Sequence, residues 1–210
     1  MIRRLAACAI ALALAGACST YRGTAHTVTP AQLAREPGWI LIRDVPYVAQ
    51  EQETECGAAA IGMIVGFWTG KPARQIMTSF RPVSEQGIEA GKLRDYARGE
   101  GLAAYLIEGK LEDISREIKA GRPVLVGLSK PQRGNRVLQH YEVVVGVHGD
   151  RQLIVTLDPQ AGWRQNTVVG FYKEWKLAGF VTLVTSAKPA PVSTPTSMTA
   201  GSHGSAMSQR

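Results

Sequence analysis

The chain has 210 residues, 45% of them apolar and 20% charged, a composition that excludes both a disordered polymer and a bundle of membrane-spanning helices. Its length suits one domain with tails and is ample to bury a core. Lys and Arg number 24 against 17 Asp and Glu, but the surplus lies at the ends: between Trp39 and Ala187 there are 18 basic and 16 acidic residues, an excess of two. No basic stripe with interleaved aromatics emerges, so the electrostatic footprint of a nucleic-acid partner is missing.

In chain order, Met1-Ile2-Arg3-Arg4 leads into an apolar run of 13 residues, Leu5 to Ala17. A basic start and a short apolar run ending in small residues describe a secretory signal peptide over residues 1–17, since a spanning helix needs roughly 20 apolar residues. The segment Leu14-Ala15-Gly16-Ala17-Cys18-Ser19 resembles a bacterial lipoprotein signal. That resemblance implies cleavage before Cys18 and lipid attachment, palmitate included, on its sulfur. It also implies the outer membrane rather than the inner, because Ser19 and not Asp follows the cysteine. Ala15 stands where such signals prefer Leu. Acyl chains on one cysteine would hold the protein to a membrane surface, on its periplasmic face, without any spanning helix.

Residues 18–37 are polar without a clear period and read as a tether. The segment from Lys188 to Arg210, rich in Ser, Thr, Pro, Gly and Ala, lacks the apolar content to offset ordering entropy and reads as a disordered tail. One globular domain, residues 38–187, lies between them. Within it, Val45–Gln50 is extended, and Cys56–Trp68 is apolar nearly all round, which describes a buried helix capped by Thr54 and ended by Gly70 and Pro72. Short helices are predicted over Ala73–Phe80 and Ala90–Arg98, then a strand over Leu102–Ile107. Leu111, Ile114 and Ile118 recur at helical spacing before Gly121. A strand follows at Arg122–Leu128, then a hairpin of His140–His148 and Gln152–Leu157 turned through Gly149-Asp150, and a last strand at Phe180–Val184. Helices first and an antiparallel sheet second predict an α+β domain with two lobes.

Cysteine usage directs attention to one sulfur. Cys8 leaves with the signal and Cys18 would carry lipid, so Cys56 alone keeps a thiol in a compartment where cysteines are usually paired. Thiol catalysis needs a thiolate, a base, a group to orient the base and donors for the oxyanion. Cys56 begins a long helix, where unpaired N–H groups and the helix dipole favour negative charge; Glu51, Glu53 and Glu55 oppose it. His140 starts one hairpin strand and Asp158 lies just past the end of the other, so the two meet at one end of the sheet. Gln50, six residues before Cys56, can turn its amide toward the same point and complete an oxyanion hole with the Cys56 N–H. Each residue taken singly has a plainer reading: a packing cysteine, a capping histidine, an ordinary Asp-Pro turn. His140, Glu142 and His148 share a strand face at period two, but no further His or Cys completes a metal set, and no metal is expected. Val65–Pro72 departs from a phosphate-binding loop at both ends, so no nucleotide or other cofactor is expected.

Together, Gln50, Cys56-Gly57-Ala58-Ala59, Gly121-Arg122-Pro123-Val124, His140-Tyr141-Glu142-Val143 and Asp158-Pro159 resemble the C39, bacteriocin-processing family of papain-like cysteine peptidases, over nearly all of residues 38–187. The resemblance implies a papain-like two-lobed fold with an N-terminal helical lobe and a C-terminal antiparallel sheet. It implies Cys56 as nucleophile, His140 as base and acid, Asp158 as the orienting residue and Gln50 as oxyanion donor, with an exported peptide or protein as substrate. Glu55 replaces the Asp that often precedes Cys-Gly, and the His-to-Asp spacing is 18 residues. The best-known members are fused to an exporter ATPase and cut leader peptides after a Gly-Gly pair. This chain carries neither the ATPase nor transporter helices, and is similar rather to exported stand-alone members, including a protease-like component of amyloid-fibre export systems. A binding module without catalysis, and an acyltransferase of the same fold, are the alternatives that the residues leave open.

Overall fold

A computed structural model describes residues 20–80 and 87–188. The expected signal peptide (1–17), the lipid-bearing Cys18 and residues 189–210 of the expected tail lie outside the described residues. Along the described chain run β1 (His26–Thr27), α1 (Pro30–Arg35), β2 (Ile40–Leu41), α2 (Cys56–Thr69), α3 (Ala73–Ser79), α4 (Ala90–Gly99), β3 (Leu102–Glu108), α5 (Leu111–Lys119), β4 (Val124–Pro131), β5 (Val137–His148), β6 (Leu153–Asp158), β7 (Gly162–Thr167), α6 (Val168–Leu177) and β8 (Val181–Ala187). The strands form one antiparallel sheet in the order β1-β7-β6-β5-β4-β8-β3. The short β2 pairs with the far end of β5, at Gly146 and Val147, just past the point where β4 leaves it.

Helix α2 is the centre of the helical layer, and its composition explains why. Its residues from Cys56 to Gly66 are buried without exception, and Ile61, Met63, Ile64 and Val65 expose nothing. Side chains of that size contribute about 1.5–3 kcal/mol each when fully buried. Gly70, with φ of 72°, ends the helix in the left-handed conformation and donates its N–H to Gly66, as the sequence predicts. Gly62 lets α3 approach closely: a Cβ there would lie 2.7 Å from the Ala73 carbonyl oxygen. Gly62→Ala is therefore expected to push α3 off α2 and cost about 1–3 kcal/mol, read as a lowered urea midpoint at unchanged m-value.

The residues expected as a tether are part of the fold. Thr29 caps α1 in a capping box with Gln32, Leu33 and Val28 are buried, and β1 pairs with β7 at the sheet edge. Tyr21 bridges to Gln132, and its hydroxyl donates to Glu174 at 2.5 Å. The folded unit thus takes in residues from about Thr20 rather than from residue 38. Two further elements, β7 and α6, arise where the sequence reading placed nothing. Thr167 caps α6 by accepting from the Gly170 N–H, and Phe171 and Trp175 are fully buried. Helices are consequently not confined to the first half, although the α+β class with an antiparallel sheet stands. Among the described residues no helix is long and apolar enough to cross a membrane.

Candidate active site

A single turn of 3-10 helix, Glu53–Glu55, runs directly into α2 and delivers Cys56 as its first residue. The expected Thr54 cap is not made; Glu55 occupies the capping position. The Glu55 carboxylate is buried and accepts the Glu51 and Gln52 N–H groups at 2.9 and 3.0 Å, which ties down the loop before the sulfur. Glu51 itself pairs with Arg74. Two of the three acidic residues near Cys56 are thus engaged in holding the loop. Cys56 is 7% exposed, and among the described residues it is the free cysteine.

The register of the hairpin brings the other residues together. Val143 stands opposite Leu157, so His140 and Glu142 of β5 share a face with Thr156 and Asp158 of β6 by strand alternation. His140 Nε2 and Asp158 Oδ1 are 2.8 Å apart, and both side chains are buried. Asp158 Oδ1 also accepts the Gln160 N–H at 2.8 Å. Since Nε2 faces a carboxylate it carries the proton, leaving Nδ1 as the basic nitrogen of the neutral ring. Nδ1 is buried and has no ordinary hydrogen-bond partner; the thiol of Cys56 is close enough to act on the imidazole by hydrogen bonding and charge. Burial opposes the imidazolium, but hydrogen bonds to Asp158 and Cys56 and their charges outweigh it, and the His140 pKa is pushed up to about 9. Burial likewise penalises a charged Asp158, yet the hydrogen bond and charge of His140, with those of Lys130, hold its carboxyl well below the usual carboxylate range.

His148 does not join this group, contrary to the period-two reading. The register slips at a bulge between Val144 and Gly146, which turns every later side chain of β5 to the other face. His148 instead meets the Pro37 carbonyl through Nε2 at 3.0 Å and lies edge-on to Trp39. What accompanies His140 is a buried ion cluster that sequence reasoning missed. Lys130 of β4 places its ammonium between Glu142 and Asp158, 2.7 Å from Asp158 Oδ2. Thr156 donates to the second oxygen of Glu142 at 2.5 Å. His140, Glu142 and Asp158 converge closely enough to hold a cation, and the cation found between the two carboxylates is the lysine's own. A signal was available for Glu142, a charge inside an otherwise apolar strand sequence, but not for Lys130, which follows Ser129 beyond the predicted strand end at Leu128.

Cys56, His140 and Tyr141 line one cleft of about 340 Å³, closed by Ile88, Leu128, Leu138 and Val181. Burial, then the nearby Cys56 and Glu89, push the Tyr141 pKa to about 12, so its hydroxyl stays neutral. Gln50 is anchored beside the Asp158 turn, its N–H donating to the Pro159 carbonyl at 3.0 Å. Its Nε2 donates to the Gln52 carbonyl at 2.9 Å, and its Oε1 is buried without a partner. Gln50 is thus held on the loop that leads to Cys56, with one amide N–H already used. Such an arrangement can pass a thiol proton to an imidazole that is held in the matching tautomer.

The shift of His140 has a consequence for stability. Folding raises the proton affinity of this ring from an ordinary value of 6.5 to about 9. Its contribution is complete below pH 6.5 and is lost as the pH rises through about 9. Asp158, shifted the other way, contributes at all pH values above the usual carboxylate range. Thermal unfolding measured below pH 6.5 and again above pH 9 is expected to show a loss of about 1–3 kcal/mol in the wild type, and a smaller loss in His140→Ala.

Residues 40–178 match the family model of the papain-like cysteine protease AvrRpt2, peptidase family C70. No curated protein matches the chain in sequence. Among solved structures, the chain is similar to the double glycine motif protease from an AMS/PCAT transporter, crystallised with its leader peptide (TM-score 0.54, 22% identity, 70% of this chain and 94% of that one). It is similar also to the peptidase domain of Streptococcus ComA, a bifunctional ABC transporter of a quorum-sensing pathway (0.56, 18%, 69% and 99%). A C39-like peptidase from Bacillus anthracis gives 0.57 at 14% identity, over 71% and 98% of the two chains. These likenesses establish the fold, that shared by the C39 peptidase domains, and the family match extends over both the helical layer that carries Cys56 and the sheet that carries His140 and Asp158. The chain belongs to the papain-like cysteine proteases of the AvrRpt2 family.

Proposed function

We propose that this cysteine peptidase acts on exported polypeptides from the periplasmic face of a membrane, held there by lipid on Cys18, with Cys56, His140 and Asp158 as its catalytic triad. The reading is carried by one observation: the imidazole whose Nε2 is bound by Asp158 lies close enough to the sulfur at the start of α2 to interact with it, inside a single cleft. His140 Nδ1 takes the Cys56 proton as the sulfur attacks the scissile carbonyl. The imidazolium then returns that proton to the leaving amine, and water, deprotonated by the same ring, releases the acyl group. The Cys56 N–H and the unused amide N–H of Gln50 are the candidate oxyanion donors, a turn of the Gln50 side chain being required. Binding of the leader peptide by the transporter protease supports an extended chain as substrate. A bacteriocin-like peptide or an amyloid-fibre subunit, delivered by an export apparatus, fits that description.

The test is digestion of a library of unfolded secreted proteins, with new termini mapped by mass spectrometry. Cleavage by the wild type that vanishes after iodoacetamide labels Cys56 supports the proposal; no cleavage at any site overturns it. Labelled palmitate incorporated by the wild type and not by Cys18→Ala tests the anchor.

A further inference from the structure

The ion cluster behind His140 does not line the cleft, yet its charges touch the imidazole's partner. Lys130 is 6% exposed and Glu142 and Asp158 are each 3% exposed at their side chains. Ions so deeply placed are costly unless balanced and hydrogen-bonded, and here nearly every acceptor is filled. Asp158 gives one oxygen to His140 and the Gln160 N–H and the other to Lys130; Glu142 gives one to Lys130 and one to Thr156. The ammonium also lies over the Tyr21 ring, 5.2 Å from its centroid. One cation and two anions leave a net charge of −1, which an imidazolium at His140 brings to zero.

We propose that Lys130 is a positioning residue for the thiol–imidazole pair: its ammonium cancels the charge of Glu142 and so reserves a fully ionised, fixed carboxylate of Asp158 for His140. This inference rests on the reading of Cys56 and His140 as the reacting pair. Two carboxylates left together in a buried site cannot both stay charged, and the pair takes up a proton. With Lys130 present the proton is excluded, and Asp158 Oδ1 remains an acceptor for the Nε2–H. The other groups facing the cluster are compatible with this. Tyr47, from the segment before α2, and Cys56 feel Asp158 and His140 respectively, while Glu174 of α6 and Arg164 of β7 meet Lys130 only through Tyr21 and long-range charge.

The experiment follows the rate of iodoacetamide alkylation at Cys56 against pH in the full chain, the Cys56 peptide being quantified by mass spectrometry, and needs no substrate. In the wild type the reaction is expected without denaturant, and its acid limb is the reference for the variants. In Lys130→Met the acid limb is expected to move up by about one pH unit or more, as the carboxylate pair binds its proton. In Lys130→Met/Glu142→Gln, where the second anion is gone as well, the limb is expected to return to the wild-type position. A merely structural lysine predicts the reverse, because the double variant removes more native contacts than the single. An unshifted limb in a folded Lys130→Met, or a double variant as impaired as the single, overturns the inference. Should Lys130→Met fail to fold, Lys130→Gln takes its place with the same two outcomes, and a raised limb in the double variant refutes the role on its own. A wild-type Cys56 that reacts only in denaturant is a different failure, since it removes the nucleophile itself and the proposed function with it.

Discussion

Cys56→Ala is expected to lower peptide cleavage by about 10⁵-fold or more, to the limit of detection, while leaving the fold intact. Alanine suits the position: it opens a helix whose next turn is Ala58-Ala59-Ala60, and its helix propensity exceeds that of cysteine. Losing one buried sulfur costs about 1 kcal/mol of packing, which the propensity gain partly offsets. Thermal unfolding should therefore shift by only a few degrees, so that lost turnover reports chemistry and not collapse. Substrate binding to the cleft should persist, because Ile88, Leu128, Leu138 and Val181 are untouched. Cleavage that survives in Cys56→Ala would place the nucleophile elsewhere.

Asp158→Asn is the second large effect, with kcat expected to fall by about 10²–10⁴-fold. An asparagine serves as the orienting residue in other papain-like proteases, so the replacement looks mild. Lys130 makes it severe. One oxygen of Asp158 faces the ammonium and the other faces His140 Nε2 and the Gln160 N–H. An amide in the same place must turn its oxygen to the ammonium, since two donors cannot face each other, and its NH₂ then points at Nε2. The neutral ring is forced to carry its proton on Nδ1, where it can no longer accept one from Cys56. The loss should appear in kcat with KM little changed. Lys130→Met added to Asp158→Asn frees the amide to reverse and should recover part of the rate; an equal or deeper loss in the double variant would refute the tautomer argument.

Much of the site was legible in the sequence because thiol chemistry demands few residue types at readable places. A cysteine at a helix start, a histidine opening one hairpin strand and an aspartate closing the next are local features, and antiparallel pairing converts their positions into proximity. The His140–Asp158 contact needed nothing more. The misplaced residues share a different origin. His148 was assigned to the wrong face because one extra residue at the bulge near Val145 inverts all alternation after it; the isolated Gly146 inside the strand was the one local sign of it. The expected tether is polar, and becomes structure only because β7 offers an edge to β1 and a pocket accepts Leu33.

By itself, the sequence determined the α+β class and the buried helix behind Cys56, and it singled out Cys56, His140 and Asp158 as the candidate thiol, imidazole and carboxylate, since each follows from periodicity or from the chemistry of one side chain. Only the tertiary structure decided that Glu55 ties the loop before the sulfur, that Gln50 has one amide N–H engaged by the Gln52 carbonyl, and that Lys130 stands between Glu142 and Asp158. These are matters of electrostatics between residues far apart in the chain. Whether a buried charge is a defect or a working part depends on which opposite charges lie within hydrogen-bonding distance, and that distance is set by the packing of strands against one another, not by the order of residues along any one of them.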